Sequence, residues 1–246
     1  MKALNTLRVL PLFSNVTDED ADLLSRNSHI RSCKKGEFLF MHGDEITHFY
    51  IICRGVMQIF RETPDGHEIT NDLFIAGDNV NVEEIISKQS IHTMNAKAVE
   101  DTSILEIPIS WLKSNFNKLD HIAAILIADI SQRLHNVQIE AEHQSTMSAT
   151  QIVACYLQRL CILYNFDPKG FDLPYSKTLI ASRLRIELET FSRTLKNLKE
   201  QGIIVSGSHV SFTDVEKATK FACESCSMSE DCTAHNYLHT RLKKSI

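Results

Sequence analysis

Long apolar runs are missing from this chain of 246 residues. No stretch approaches the roughly 20 consecutive apolar residues of a membrane-spanning helix. The opening Met1-Lys2-Ala3-Leu4-Asn5 lacks the apolar core of a secretory leader. The expectation is a cytoplasmic protein with no membrane partner. The seven cysteines are an odd number without a secretion signal, which argues against a disulfide framework and leaves metal or redox use open. Also missing are a Gly-rich phosphate loop, a nucleophile elbow and a helical metalloprotease motif. The acidic residues show no pairing that would set a general acid against a base. An enzyme is therefore not expected, and the alternative class is a redox protein that carries electrons on a bound cluster.

Positive charge is short overall, with a net charge of −5, but the shortage is local. Residues 1–146 hold 13 Lys and Arg against 21 Asp and Glu, whereas residues 147–220 hold 10 against 7. A nucleic-acid reader needs a positive face and not a positive whole, so the split fits a basic reader tethered to an acidic control domain. With 43% apolar and 23% charged residues, the length suits two small domains or one larger one.

Five of the eight glycines (Gly36, Gly43, Gly55, Gly66 and Gly77) punctuate short apolar, aromatic-rich runs in the first hundred residues. Examples are Glu37-Phe38-Leu39-Phe40 and Phe49-Tyr50-Ile51-Ile52. Such spacing predicts short antiparallel strands joined by tight turns, closed into a roll, with Pro64-Asp65-Gly66 as one turn. Thr17-Asp18-Glu19-Asp20 predicts a capped helix before it, burying Ala21, Leu23 and Leu24. After Pro108 the period becomes helical. Ala123, Ile127, Ile130, Leu134, Val137 and Ala141 recur at steps of four and three, an a/d seam that predicts a parallel dimer helix. Ile122, Ile125 and Leu126 supply a separate apolar flank for packing on the roll.

Ser176-Lys177-Thr178-Leu179-Ile180-Ala181-Ser182-Arg183-Leu184, followed by Leu188-Glu189-Thr190-Phe191-Ser192-Arg193, outlines a helix-turn-helix. Glu189, Ser192 and Arg193 share one face within about a turn. From there Arg193 would donate to guanine, Glu189 would accept from a cytosine amine, and Ser192 would serve either kind of base. Lys177, Arg183, Arg185, Lys196 and Lys199 are candidates for phosphate contacts or simple solvation. Gly202-Ile203-Ile204-Val205, a Ser206-Gly207-Ser208 turn and His209-Val210-Ser211-Phe212 read as a wing. A two-fold dimer of such readers demands a near-palindromic operator on double-stranded DNA.

The tail carries Cys223, Cys226 and Cys232 as C-x2-C-x5-C, with His235 three residues on. Short spacers of this kind bring sulfurs to one side of a turn, so these four residues are candidate ligands to a soft metal centre. A tetrahedral zinc site and an iron-sulfur cluster are not separable by spacing. Cys33, Cys53, Cys155 and Cys161 read as small buried hydrophobes.

The chain resembles the Crp/Fnr family of bacterial transcription regulators. The likeness rests on Leu10-Pro11-Leu12-Phe13-Ser14, Lys35-Gly36-Glu37-Phe38-Leu39-Phe40, Gly43-Asp44, Tyr50-Ile51-Ile52, Gly55-Val56 and Gly77-Asp78, then the long helix and the reader. The resemblance implies an α+β fold in four parts. These are a cyclic-nucleotide-binding-type β-roll at 1–108, a dimerisation helix and hinge at 109–146, a winged helix-turn-helix at 147–220 and a cysteine-rich tail at 221–246. It also implies RNA polymerase as a partner. Glu189, Ser192 and Arg193 fill the pattern of the FNR branch, which reads TTGAT-like half-sites.

Members that bind cyclic AMP clamp its phosphate with a Gly-Glu pair and an Arg-Ser or Arg-Thr pair. Here Asn81-Val82 and His92-Thr93 stand at those places, so no cyclic nucleotide binding is expected. The branch senses oxygen with a [4Fe-4S] cluster, and one subgroup carries it on a C-terminal cysteine trio with a carboxylate as fourth ligand. The tail is similar to that arrangement apart from its last spacer. His235, Asp129, Glu140, Glu142 and His143 stand as candidates for the fourth ligand. Zinc is the alternative, and haem on His42, His48 or His92 a further one.

Overall fold

Thr17 starts the first helix as its sequence demands: its Oγ1 accepts the Asp20 N–H at 3.1 Å at the N-terminus of α1 (Asp18–Arg26), where three acidic residues favour the helix dipole. This is seen in a computed structural model that describes residues 10, 13, 16–87, 89–115, 120–163, 167, 169–226, 228, 232 and 234–237. The opening residues 1–5, Pro11, Leu12 and Ser14 of the entry motif, and Thr233 of the tail lie outside the described residues. The chain divides between residues 134 and 135 into two units.

The first unit holds two four-stranded antiparallel sheets. One is built from β1 (His29–Cys33), β8 (Thr102–Pro108), β3 (His48–Arg54) and β6 (Asn79–Val80), in that spatial order. The other runs β2 (Phe38–Phe40), β7 (Asn95–Ala98), β4 (Val56–Glu62), β5 (Glu68–Ile75). A short α2 (Val82–Ile86) lies between β6 and β7. Alternation along β3 and β8 splits the core in two. Tyr50, Ile52 and Ile104 join Phe40, Met57, Ile59 and Val80 in one cluster. Phe49, Ile51, Leu105 and Ile107 join Leu24, Leu112, Ile122 and Leu126 in the other. The second cluster draws on α1, on α3 (Ile109–Asn115) and on the start of α4 (Asp120–Thr146).

The turns form where the glycines stand. Gly66 takes φ +82° and donates to the Thr63 carbonyl at 2.9 Å, closing the Pro64-Asp65-Gly66 turn. Gly55, at φ +94°, admits no side chain, because a Cβ would lie 2.6 Å from Thr102 Oγ1.

The seam expectation divides along α4. Ile122 and Leu126 are buried on the roll as anticipated, while Ile127 (54%), Leu134 (59%) and Val137 (61%) stay exposed. Ile130, expected on the seam, packs partly buried against the cluster of Phe49, Ile51, Leu105 and Ile107.

In the second unit α5 (Ala149–Leu163) runs through the core, followed by β9 (Phe171–Asp172), α6 (Lys177–Arg183), α7 (Leu188–Asn197) and a short 3-10 turn at Leu198–Gln201. Then come β10 (Ile203–Ser206), β11 (His209–Phe212) and α8 (Val215–Cys223). β9, β11 and β10 form a three-stranded antiparallel sheet. Gly207, first in the two-residue turn of the β10–β11 hairpin, has φ +60°, as primed hairpin turns require. No described helix is long and apolar enough to cross a membrane.

Candidate functional site

The helix-turn-helix begins at Ser176, whose Oγ accepts the Leu179 N–H at 3.2 Å and caps α6. The turn into α7 contains no glycine. Arg185 takes the left-handed conformation there at φ +58°, held by its N–H donating to the Ser182 carbonyl at 3.1 Å and by the Ile186 N–H donating to Ala181 at 2.9 Å. α7 is then split cleanly. Phe191, Thr194 and Leu195 face the core together with Leu198, so Glu189, Ser192, Arg193 and Lys196 are left exposed on the opposite face. Burial of one stripe therefore fixes which polar side chains point outward.

The candidates for phosphate contact differ among themselves. Lys196, Lys199 and Arg185 are exposed and Lys177 is partly so. The structure gives Arg183 a protein partner that spacing could not reveal: its Nη1 and Nη2 donate to the two oxygens of Glu140 at 3.0 and 2.9 Å. Gln144, one turn along α4, donates through Nε2 to the Leu184 carbonyl at 3.2 Å.

Around the cysteine-rich end, two thiol–imidazole contacts stand out. His235 Nδ1 lies 3.1 Å from Cys223 Sγ, and His143 Nε2 lies 3.3 Å from Cys226 Sγ. Among the described residues no three His, Cys, Asp or Glu donors already stand in a metal-binding arrangement. The donor set is nonetheless of one chemical kind, thiols with imidazoles beside them, which suits a soft or borderline ion. Burial, followed by repulsion from the thiolates of Cys155, Cys226 and Cys232, pushes Cys223 up to about 12. Burial likewise raises Cys226. A bound cation would favour the ionised form of both thiols.

Cys155, read from the sequence as a small buried hydrophobe, packs partly buried against the core of the second unit. Burial and the Cys232 and Cys226 thiolates push it up to about 11, against a lowering by Arg159. Cys223 and Cys226 pack against that core in the same way, while Cys161, also read as a buried hydrophobe, is buried near the Asp167 carbonyl. Of the carboxylates considered as fourth ligand, Asp129 receives donors from Arg133 and Asn79, and Glu140 is held by Arg183.

In the roll, the places of the phosphate clamp are filled otherwise. Asn81 sits at φ +62° and donates through Nδ2 to the His48 carbonyl at 2.8 Å. Val82 is buried. His92, 2% exposed, stacks on Phe40 at 3.6 Å between centroids, with its Nδ1 3.6 Å from Glu84 Oε1. His92 Nε2 and Glu84 Oε2 are buried and find no hydrogen-bond partner among the described residues. Of the other haem candidates, His42 is exposed, and His48 Nδ1 lies 2.9 Å from Thr47 Oγ1.

A cyclic nucleotide-binding domain matches residues 30–117, and a Crp-like helix-turn-helix domain matches residues 153–217. The transcriptional activator protein FnrA of Stutzerimonas stutzeri is 27% identical over 211 residues, covering 83% of this chain and 84% of its own. The fumarate and nitrate reduction regulatory protein of Yersinia pestis is 25% identical over 209 residues, covering 83% and 82%. Among solved structures, FixK2 from Bradyrhizobium japonicum shares the fold with a TM-score of 0.69 at 21% identity, over 79% of this chain and 96% of that one. With a roll of the cyclic-nucleotide-binding type, a long helix and a Crp-like reader present in that order, the chain belongs to the Crp/Fnr family of DNA-binding transcription regulators, which are not enzymes.

Proposed function

We propose that the protein works in the cytoplasm as a homodimer that reads a TTGAT-like palindrome. Its Cys223, Cys226 and Cys232 would hold a redox-responsive [4Fe-4S] centre that sets DNA affinity and hence recruitment of RNA polymerase. The observation that carries the reading is the outward face of α7. Glu189, Ser192 and Arg193 are exposed together over a stripe fixed by Phe191 and Leu198, both fully buried, and these types at this spacing can address C, either base and G in a major groove. The exposed Ile127, Leu134 and Val137 on α4 support a partner helix. Likeness to a regulator named for fumarate and nitrate reduction favours a redox signal.

A cluster bound at the tail supplies a centre whose integrity depends on oxygen or nitric oxide. The residues of this chain bind it and tie it to the core. Cyclic AMP does not act through the roll in this reading, because the buried Glu84 carboxylate beside His92 would oppose a phosphodiester there.

Gel shifts of anaerobically purified protein on a TTGAT palindrome, with and without air, test the whole. Expected are a broad absorbance near ~400 nm, its loss in air and a parallel change in affinity; binding no tighter than to random duplex refutes it. The thiol–imidazole pairs Cys223–His235 and Cys226–His143 favour a second reading, a structural zinc site of thiolates and histidine with no sensing role. Colourless protein carrying zinc, with DNA affinity indifferent to air, selects it.

A further inference from the structure

The face of α5 opposite the tail is set by hydrogen bonds to Gln151. Its Nε2 donates at 3.3 Å to the Phe221 carbonyl, in the last turn of α8, and at 3.3 Å to Ser225 Oγ, between Cys223 and Cys226. Cys155 follows Gln151 by four residues, so it stands one turn further on that same helix face. The α5 and α8 helices pack directly on each other, and Cys155, Cys223 and Cys226 border one core cluster. The Cys232 end of the tail reaches the same place: the Cys232 carbonyl accepts the Asn236 N–H at 3.0 Å, and His235 Nδ1 lies 3.1 Å from Cys223 Sγ. Three residues beyond Cys155, the Nε2 of buried Gln158 has no hydrogen-bond partner among the described residues.

We infer that Cys155, on α5, is the fourth protein ligand of the tail centre, giving a four-thiolate site of Cys155, Cys223, Cys226 and Cys232. This rests on the tail cysteines binding a metal centre at all, as proposed above. His235 and His143 then stand outside the ligand set as N–H donors to the Cys223 and Cys226 sulfurs, the positions that tune a thiolate centre. On binding, each thiol gives its proton to solvent and its sulfur lone pair to the metal. The arrangement has a mechanical consequence. α5 also packs against the recognition helix α7, so a ligand on α5 fastens the tail to the element behind the reading face. A ligand confined to the tail would add no bond to that helix.

The test uses the full chain and its C155A, C155S, H143A, H235A and C161A variants, reduced and freed of metal, then loaded anaerobically with Zn²⁺ or with ferrous iron and sulfide. X-ray absorption of the zinc form separates four sulfurs at about 2.3 Å from three sulfurs and one nitrogen at about 2.0–2.1 Å. Expected are four sulfurs in wild type, H143A and H235A, and at least tenfold weaker zinc retention against a chelator in C155A and C155S, with C161A as wild type. Circular dichroism of the metal-free variants checks folding, and the wild-type spectrum alone decides should C155A misfold. A three-sulfur, one-nitrogen shell, or wild-type retention in C155A with loss in H143A or H235A, overturns Cys155 as ligand while leaving the tail centre intact. Wild type that takes up neither zinc nor iron overturns the tail centre itself, and this inference with it.

Discussion

Arg183 separates two roles that a basic residue beside a helix-turn-helix can play, and the difference is measurable. Its guanidinium meets Glu140 through two hydrogen bonds of 2.9 and 3.0 Å, with side chains 16% and 37% exposed. A pair this close to solvent is screened, so its contribution sits near the upper end of the surface range, about 1 kcal/mol, helped by the bidentate geometry. Arg183→Ala and Glu140→Ala should each lower the melting temperature of the second unit by about 4 °C, and the double variant should lose little more than either single one. Were Arg183 instead spent on a phosphate, its removal from both subunits of a dimer would flatten the plot of log affinity against log salt by about 2. The expected slope is unchanged. Fluorescence anisotropy on a TTGAT palindrome at four or five salt concentrations, beside thermal melts, decides the matter. A slope reduced by about 2 in Arg183→Ala, with an unaltered melt and a silent Glu140→Ala, would refute the clamp.

Arg193→Ala should cost about 1–3 kcal/mol, roughly 5- to 160-fold, at a single guanine of each half-site; a binding profile over all single-base operators reads this as relaxed preference at one position. Val137→Glu or Ile127→Glu, on exposed positions of α4, should turn a dimer into monomer in sedimentation analysis, and an unchanged mass removes the seam as the dimer contact. Phe191→Ala, at a fully buried site, should destabilise the second unit by about 3–5 kcal/mol, seen as a lower urea midpoint with the first unit's transition unmoved. Gly55→Ala should cost more than about 1 kcal/mol, because φ is +94° and Thr102 Cα lies 2.8 Å from the new Cβ; a wild-type melt would show that the turn relaxes freely.

Much of this protein was legible because its signals are local. The Thr17 and Ser176 caps, the glycine turns and the stripe through Phe191, Leu195 and Leu198 each act within a few residues. What escaped was either non-local or chemically silent. The helix-turn-helix turn carries no glycine, and Arg185 accepts the left-handed conformation only because hydrogen bonds from neighbouring turns hold it. Glu140 and Arg183 are 43 residues apart, so no spacing rule pairs them. The four-residue offset of Cys155 from Gln151 means nothing in the sequence until Gln151 is seen bonded to Phe221 and Ser225.

The two straps from α4, Glu140 to Arg183 and Gln144 to the Leu184 carbonyl, lie one turn apart and grip the end of α6 at two successive residues. One strap would act as a pivot; two make a bracket. In the proposed dimer, insertion or deletion of a single central base pair should therefore be punished severely, and cutting both straps should make the protein more forgiving of such misfits while binding the best site less tightly.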